Sequence, residues 1–159
     1  MTFRISTPSA IGIISGALAM LSLLLVWVTA SPATGFFEVT GTDVTGWEIF
    51  YARGSESFSA AYVIPAAVWG IGFSLIALSF LGCLSIYSGL DKRMLSIPMF
   101  MIGLTLIVMY VLFFNEYLSK AESIGVTLEV GTGLYLLLLA GIGGIVAGAL
   151  RQATQIREM

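Results

Sequence analysis

Four stretches of this chain, 11–30, 60–87, 95–114 and 131–150, carry no Asp, Glu, Lys or Arg. A hydrocarbon slab roughly 30 Å thick asks for around 20 apolar residues at about 1.5 Å each, and each stretch meets that length. Inside lipid every backbone N–H and C=O must find its partner within the chain, so such a segment crosses as a helix. We therefore expect a membrane all-α fold: a four-transmembrane-helix bundle forming a single domain over residues 1–159, with its longer connections at 31–59 and 115–130. Composition agrees, since 58% of residues are hydrophobic and 10% charged, where an average soluble domain has about a quarter charged. Arg4 precedes the first stretch and small residues follow at Ala30 and Ala33. The apolar run is longer than a signal-peptide core, however, and is read as a retained span.

Basic residues set the expected orientation. Arg4, Lys92, Arg93, Arg151 and Arg157 fall on one side of the spans, Arg53 and Lys120 on the other. This predicts an integral, multi-pass protein with cytoplasmic N and C termini. Glu38, Asp43, Glu48, Glu56, Glu116, Glu122 and Glu129 then lie outside with two bases, net −5, and Asp91 and Glu158 lie inside with five, net +3. Trp27, Tyr62, Tyr117 and Tyr135 fall near outer span ends and Phe3 and Tyr87 near inner ends, as an interfacial belt would place them, while Trp69 sits deeper and reads as a packing residue.

The connections on the acidic side change periodicity. In GFFEVTGTDVTGWEIFYARG, two β-rich runs flank Gly41-Thr42, a pair suited to a tight hairpin turn. On the second run Thr45, Trp47, Ile49 and Tyr51 would share one strand face, opposite Val44, Gly46, Glu48 and Phe50. Residues Gly125 to Val130 alternate Val126, Leu128 and Val130 with Thr127 and Glu129. A lone hairpin is marginal in water, so we expect a small extracellular β-sheet built from the first and third connections and docked on the helix ends. The alternative is irregular loops. Phe36, Phe37, Trp47, Ile49 and Tyr51 supply its candidate interaction surface, because so much aromatic surface must pack on something.

Helices associate in lipid through close packing of small residues. Gly12 and Gly16 in the first stretch, Gly70 after Ala66 in the second, and Gly141, Gly144 and Gly148 in the fourth are the candidate helix-packing residues, within one bundle or between copies. Chemistry finds little purchase. The chain has no His and one Cys, Cys83, which reads as a small packing residue. No ionisable residue falls inside the four stretches, and Ser15, Ser22, Ser74, Ser79 and Thr105 alone draw no polar path. Met94, Met99, Met101 and Met109 read as core filler. The Gly-rich fourth stretch lacks the Lys-Ser/Thr ending of a phosphate loop. We expect no enzyme, no cofactor, no metal site and no nucleic-acid binding, the last because the inner basic patch holds only a handful of charges.

The layout resembles the claudin-like superfamily of four-span proteins, and small prokaryotic four-span proteins of similar outline. Both termini lie inside, a long first outer loop follows Trp27 and contains Gly46-Trp47, and a strand-like segment precedes the fourth span. The Leu of the family's Gly-Leu-Trp motif and its paired Cys are absent. The resemblance implies an extracellular sheet for lateral or face-to-face protein contacts, anchored by Trp47. The expected function is that of a structural or interaction membrane protein, whose partners are membrane lipid and either another protein or a second copy, met through the outer loops or glycine seams. The alternatives are an accessory subunit of a larger membrane complex and, behind it, a small transporter or channel.

Overall fold

The computed structural model describes residues 5–32, 42–51, 60–88, 93–124 and 126–156. Four apolar helices run antiparallel in a ring with a three-stranded sheet over one end. The first, α1, Thr7–Ser22, starts after an extended Ser6 with Pro8 in its first turn, a position where the missing N–H costs nothing. At its end Leu23, Leu24 and Leu25 donate to the carbonyls of Met20, Leu21 and Ser22, a tightening that stops the helix. The chain then continues as β1, Val26–Pro32.

The expected first span, 11–30, is thus a correction: its last third is turn and strand. With 16 residues, α1 is about 24 Å long, short of the slab thickness. The reason lies in the run Val26-Trp27-Val28-Thr29, whose β-branched and aromatic side chains suit a pleated sheet once partner strands are present.

Those partners are β2, Thr42–Thr45, and β3, Val126–Val130. Both pair antiparallel with β1, in the order β2-β1-β3. The strand expected at Gly125 to Val130 is therefore present as β3. Of the pair expected to turn a hairpin, Thr42 is a strand residue opposite Ala30, and Gly41 lies outside the described residues. The partner of β2 is the chain just after α1, which the run of apolar residues disguised as span.

The second run of the expected hairpin also departs from a strand. Gly46–Tyr51 forms a short helix, α2, that removes Trp47, Ile49 and Tyr51 from a common strand face. Helices α3, Ala60–Ser88, α4, Arg93–Ile124, and α5, Thr132–Ile156, follow. Each of these three contains a stretch long and apolar enough to cross a membrane: Val63–Cys83, Met94–Glu116 and Thr132–Thr154. Large apolar side chains, among them Phe73, Phe80, Leu112 and Leu139, are exposed on the outside of the bundle, as helices facing lipid require.

Each helix packs on its neighbours in chain order and α5 closes the ring against α1; the α3–α4 seam is the least extensive. The larger core cluster lies toward the sheet, around Leu23, Trp27, Leu106, Phe113 and Leu134. A smaller one, Leu75, Met99 and Ala147, lies toward the other end. A Cβ on Gly16 would come within 2.6 Å of the Gly72 carbonyl, and one on Gly148 within 2.7 Å of the Phe100 nitrogen. Gly12 faces Ser79 and Met99, while Gly141 and Gly144 face Gly103. Gly70 is different: nothing lies within 4 Å of its missing side chain, and its neighbour Gly72 makes the α1 contact.

Several further expectations need correcting. Trp69 is 45% exposed and stacks on Phe73, with ring centroids 6.1 Å apart. Met94 and Met101 are exposed, whereas Met99 is fully buried and Met109 packs on the core. Trp27 is buried rather than interfacial. Arg151, which flanks the expected fourth span, lies inside α5 and is buried, so the helices are not free of ionisable groups.

Candidate functional site

The sheet end is where polar and aromatic groups converge. The β1–β2 register shifts between Val26 and Val28, leaving Trp27 as an extra residue. A bulge of this kind lets two successive side chains face the same way, and Trp27 and Val28 are both buried. The Trp27 indole N–H donates at 2.7 Å to the Ser22 carbonyl, which also accepts from Leu25 N–H at the end of α1. Its ring meets Phe113 of α4 edge-on, with centroids 4.9 Å apart and planes at 85°.

Two glycines make room for this ring. A Cβ on Gly46 of α2 would sit 2.8 Å from the indole, and one on Gly133 of α5 2.5 Å from it. Main-chain bonds add to the joint, because Trp47 N–H donates to Leu23 O at 3.1 Å and Gly131 N–H to Trp27 O at 2.8 Å. Trp27 therefore joins α1, the sheet, α2, α4 and α5, the anchoring place that the family resemblance implied for Trp47. Trp47 itself is half-buried against the same core.

The short helix α2 owes its existence to Thr45-Gly46-Trp47-Glu48. The Glu48 carboxylate accepts from Thr45 N–H at 2.7 Å and from the Thr45 hydroxyl at 2.9 Å, while Glu48 N–H donates back to the hydroxyl at 3.2 Å. This is a reciprocal N-terminal cap, and its Thr-x-x-Glu spacing is readable in sequence. Ile49 then points into the core and is 1% exposed, so it cannot serve as contact surface. Tyr51 ends α2, and Phe36 and Phe37 lie outside the described residues.

The Thr45 backbone N–H, and after it the Thr45 hydroxyl, hold the Glu48 carboxyl below the usual carboxylate range. A lowered folded-state pKa means support for α2 that is present above the ordinary carboxylate value, near 4.3, and lost as pH falls through the folded one. Thermal midpoints of wild type and Glu48→Gln should therefore differ at neutral pH and converge in acid. A gap that persists unchanged at low pH would rule the carboxylate out.

What the cap presents outward is a polar row. On the face opposite Val28, the register lines up Asp43, Thr29 and Glu129 across the three strands. The Thr29 hydroxyl donates to Asp43 Oδ1 at 2.6 Å, and Asp43, Thr127 and Glu129 are exposed. Apolar Val44, Val28 and Val130 align across the same strands toward the bundle. Beneath the sheet Val28, Phe113, Leu128 and Leu134 border a cavity of about 10 Å³, room for about one water.

Sequence reading named the aromatic residues of the cap but missed the acidic row, which exists only once the β2-β1-β3 register brings positions 43, 29 and 129 together. In the bundle, the hydroxyls of Ser15, Ser22, Ser74, Ser79 and Thr105 each donate to a carbonyl three or four residues back in their own helix. Among the described residues, no three His, Cys, Asp or Glu side chains group as metal ligands would, and Cys83 is a buried free thiol. Compared with known proteins, the chain matches no family model and no curated protein.

Proposed function

We propose that this chain is a multi-pass membrane protein whose bundle holds a small acidic sheet clear of the lipid as a contact surface for other proteins. In this reading α1 and the apolar turn of Leu23, Leu24 and Leu25 complete a fourth crossing, both termini are cytoplasmic and the sheet is extracellular. The observation that carries it is the outward row Asp43, Thr29 and Glu129, held rigidly because Trp27 bolts its central strand to the helices. Serine and threonine hydroxyls already satisfied by their own helices support a scaffold over a conduit. The contact role is also what the claudin-like layout implies.

A photo-reactive residue at position 129, in native membranes, should give discrete protein adducts. A second at Ile142, an exposed apolar position of α5, should give only lipid adducts. Asp43→Lys should then cut adduct yield at 129 several-fold while lowering the thermal midpoint only by the scale of its one exposed hydrogen bond to Thr29, because complementary charge governs encounter more than fold stability. Equal adduct patterns at the two positions would refute the reading.

The accessory-subunit reading is favoured by one feature of α3. Gly70, Ser74 and Ala77 are exposed along one side of it, beside the Trp69–Phe73 stack. A lateral helix could approach closely there, as small residues allow in lipid. Under that reading Gly70→Leu disrupts co-purification while variants of the acidic row do not.

A further inference from the structure

The end of the bundle opposite the sheet holds a guanidinium. Arg151 of α5 is 5% exposed and lies within the stretch Thr132–Thr154 that is apolar enough to cross a bilayer. Its side chain occupies the place where Gly82 of α3 has none: a Cβ there would collide with both terminal nitrogens and the guanidinium carbon. On α4, Met99 Sδ accepts from Nη1 at 3.4 Å. Met99 is itself backed by Gly12 of α1, where a Cβ would meet the Met99 methyl. All four helices therefore shape the place where this charge sits.

Among the described residues the chemistry there is unbalanced. A guanidinium has five N–H donors and keeps its charge at any physiological pH, whereas a thioether is a weak acceptor. Among the described residues the hydrogen-bond acceptor it finds is that thioether, and the titratable neighbour is the buried Cys83 thiol. A buried cation without a counter-charge is strongly unfavourable. Depth says which anion is available. Arg151 stands 19 residues beyond Thr132 on α5, about 28 Å at the helical rise and so close to one hydrocarbon thickness from the sheet end. That is the level of headgroup phosphates, whose oxygens the planar guanidinium fork binds in pairs.

We propose that Arg151, its guanidinium lodged against Gly82, binds a phosphate-bearing anion. A phospholipid headgroup or free phosphate could supply the same oxygens. The site lies at the far end from the acidic sheet and stands whether or not the sheet meets a partner.

The test uses the full chain purified in a neutral detergent and titrated with phosphatidic acid or with inorganic phosphate, bound ligand being read by native mass spectrometry and the thermal midpoint in parallel. Wild type should bind phosphatidic acid and gain stability. Arg151→Gln should weaken binding roughly tenfold to a hundredfold, the scale of one lost charge-assisted pair. Arg151→Lys, which keeps the charge and loses the fork, should fall between them, and decides the matter if the Gln variant does not fold. Stabilisation by inorganic phosphate as well marks a free anion as ligand; stabilisation by phosphatidic acid alone marks the headgroup. Equal binding by wild type and both variants overturns the proposal. So does Asp91→Asn or Glu158→Gln lowering the midpoint as far as Arg151→Gln, since a carboxylate of the chain would then be the counter-ion.

Discussion

Replacing Trp27 with Ala should destabilise the protein by about 3–5 kcal/mol, the range for truncating a fully buried aromatic side chain. The ring is 0% exposed, contacts Phe113 at 4.9 Å and fills the space that Gly46 and Gly133 leave. Its loss removes the plug on which the sheet, α2 and three helices converge. The effect should be local before it is global: amide exchange at Val28 and Thr29 should accelerate far more than at Leu106 or Leu137. Trp27→Phe tests the polar part separately. It retains a ring but deletes the indole donor to Ser22, and should cost about 1 kcal/mol. Denaturant titration in mild detergent measures both. An Ala variant no less stable than the Phe variant would mean that the sheet is held by something other than this residue.

The second large effect is expected at a crossing of two helices. A Cβ on Gly103 of α4 would lie 2.6 Å from the Gly141 carbonyl oxygen and 2.8 Å from the Gly144 carbonyl carbon, both in the backbone of α5. Backbone cannot swing aside as a side chain can, so Gly103→Ala has to push the helices apart along their most extensive interface. Overpacking of this kind costs about 1–3 kcal/mol. In lipid the loss is not recovered elsewhere, because separation forfeits close packing without any gain from water release. Gly70→Ala is the matched control. With nothing within 4 Å of its Cβ position, it should change stability by no more than about 0.5 kcal/mol. Similar losses at both positions would mean that backbone flexibility, rather than the α4–α5 contact, accounts for the Gly103 effect.

These two sites also mark how far the linear chain could be read. Glycine seams were visible as spacing, and Gly12, Gly16, Gly141, Gly144 and Gly148 all lie at helix contacts. Which glycine of a helix faces inward depends on its rotation, and nothing local distinguishes Gly70 from Gly72. The decisive Gly103 sits alone among larger residues, so no small-residue pattern pointed to it. Strand β3 was legible because Val126, Leu128 and Val130 alternate with Thr127 and Glu129, a period that only a strand uses. At 45–51 a similar alternation of Trp47, Ile49 and Tyr51 pointed to a strand, yet the Thr45–Glu48 cap decides the backbone there.

The long charge-free runs were enough to establish α3, α4 and α5, since a lipid interior leaves an apolar backbone of that length one way to satisfy its hydrogen bonds. The segment after Ser22 was another matter. Leu23 to Ala30 is as apolar as the helix before it, and an apolar octapeptide serves equally as the end of a span or as a buried strand. The choice came from distant residues: Thr42–Thr45 and Val126–Val130 flank β1 with ladder partners, and Phe113 and Ser22 receive the Trp27 ring and its N–H. Composition thus dictated which segments avoid water. Only the assembled bundle decided where the first helix stops, which acids form a row and that Arg151 ends up buried, because each depends on groups brought together across the chain.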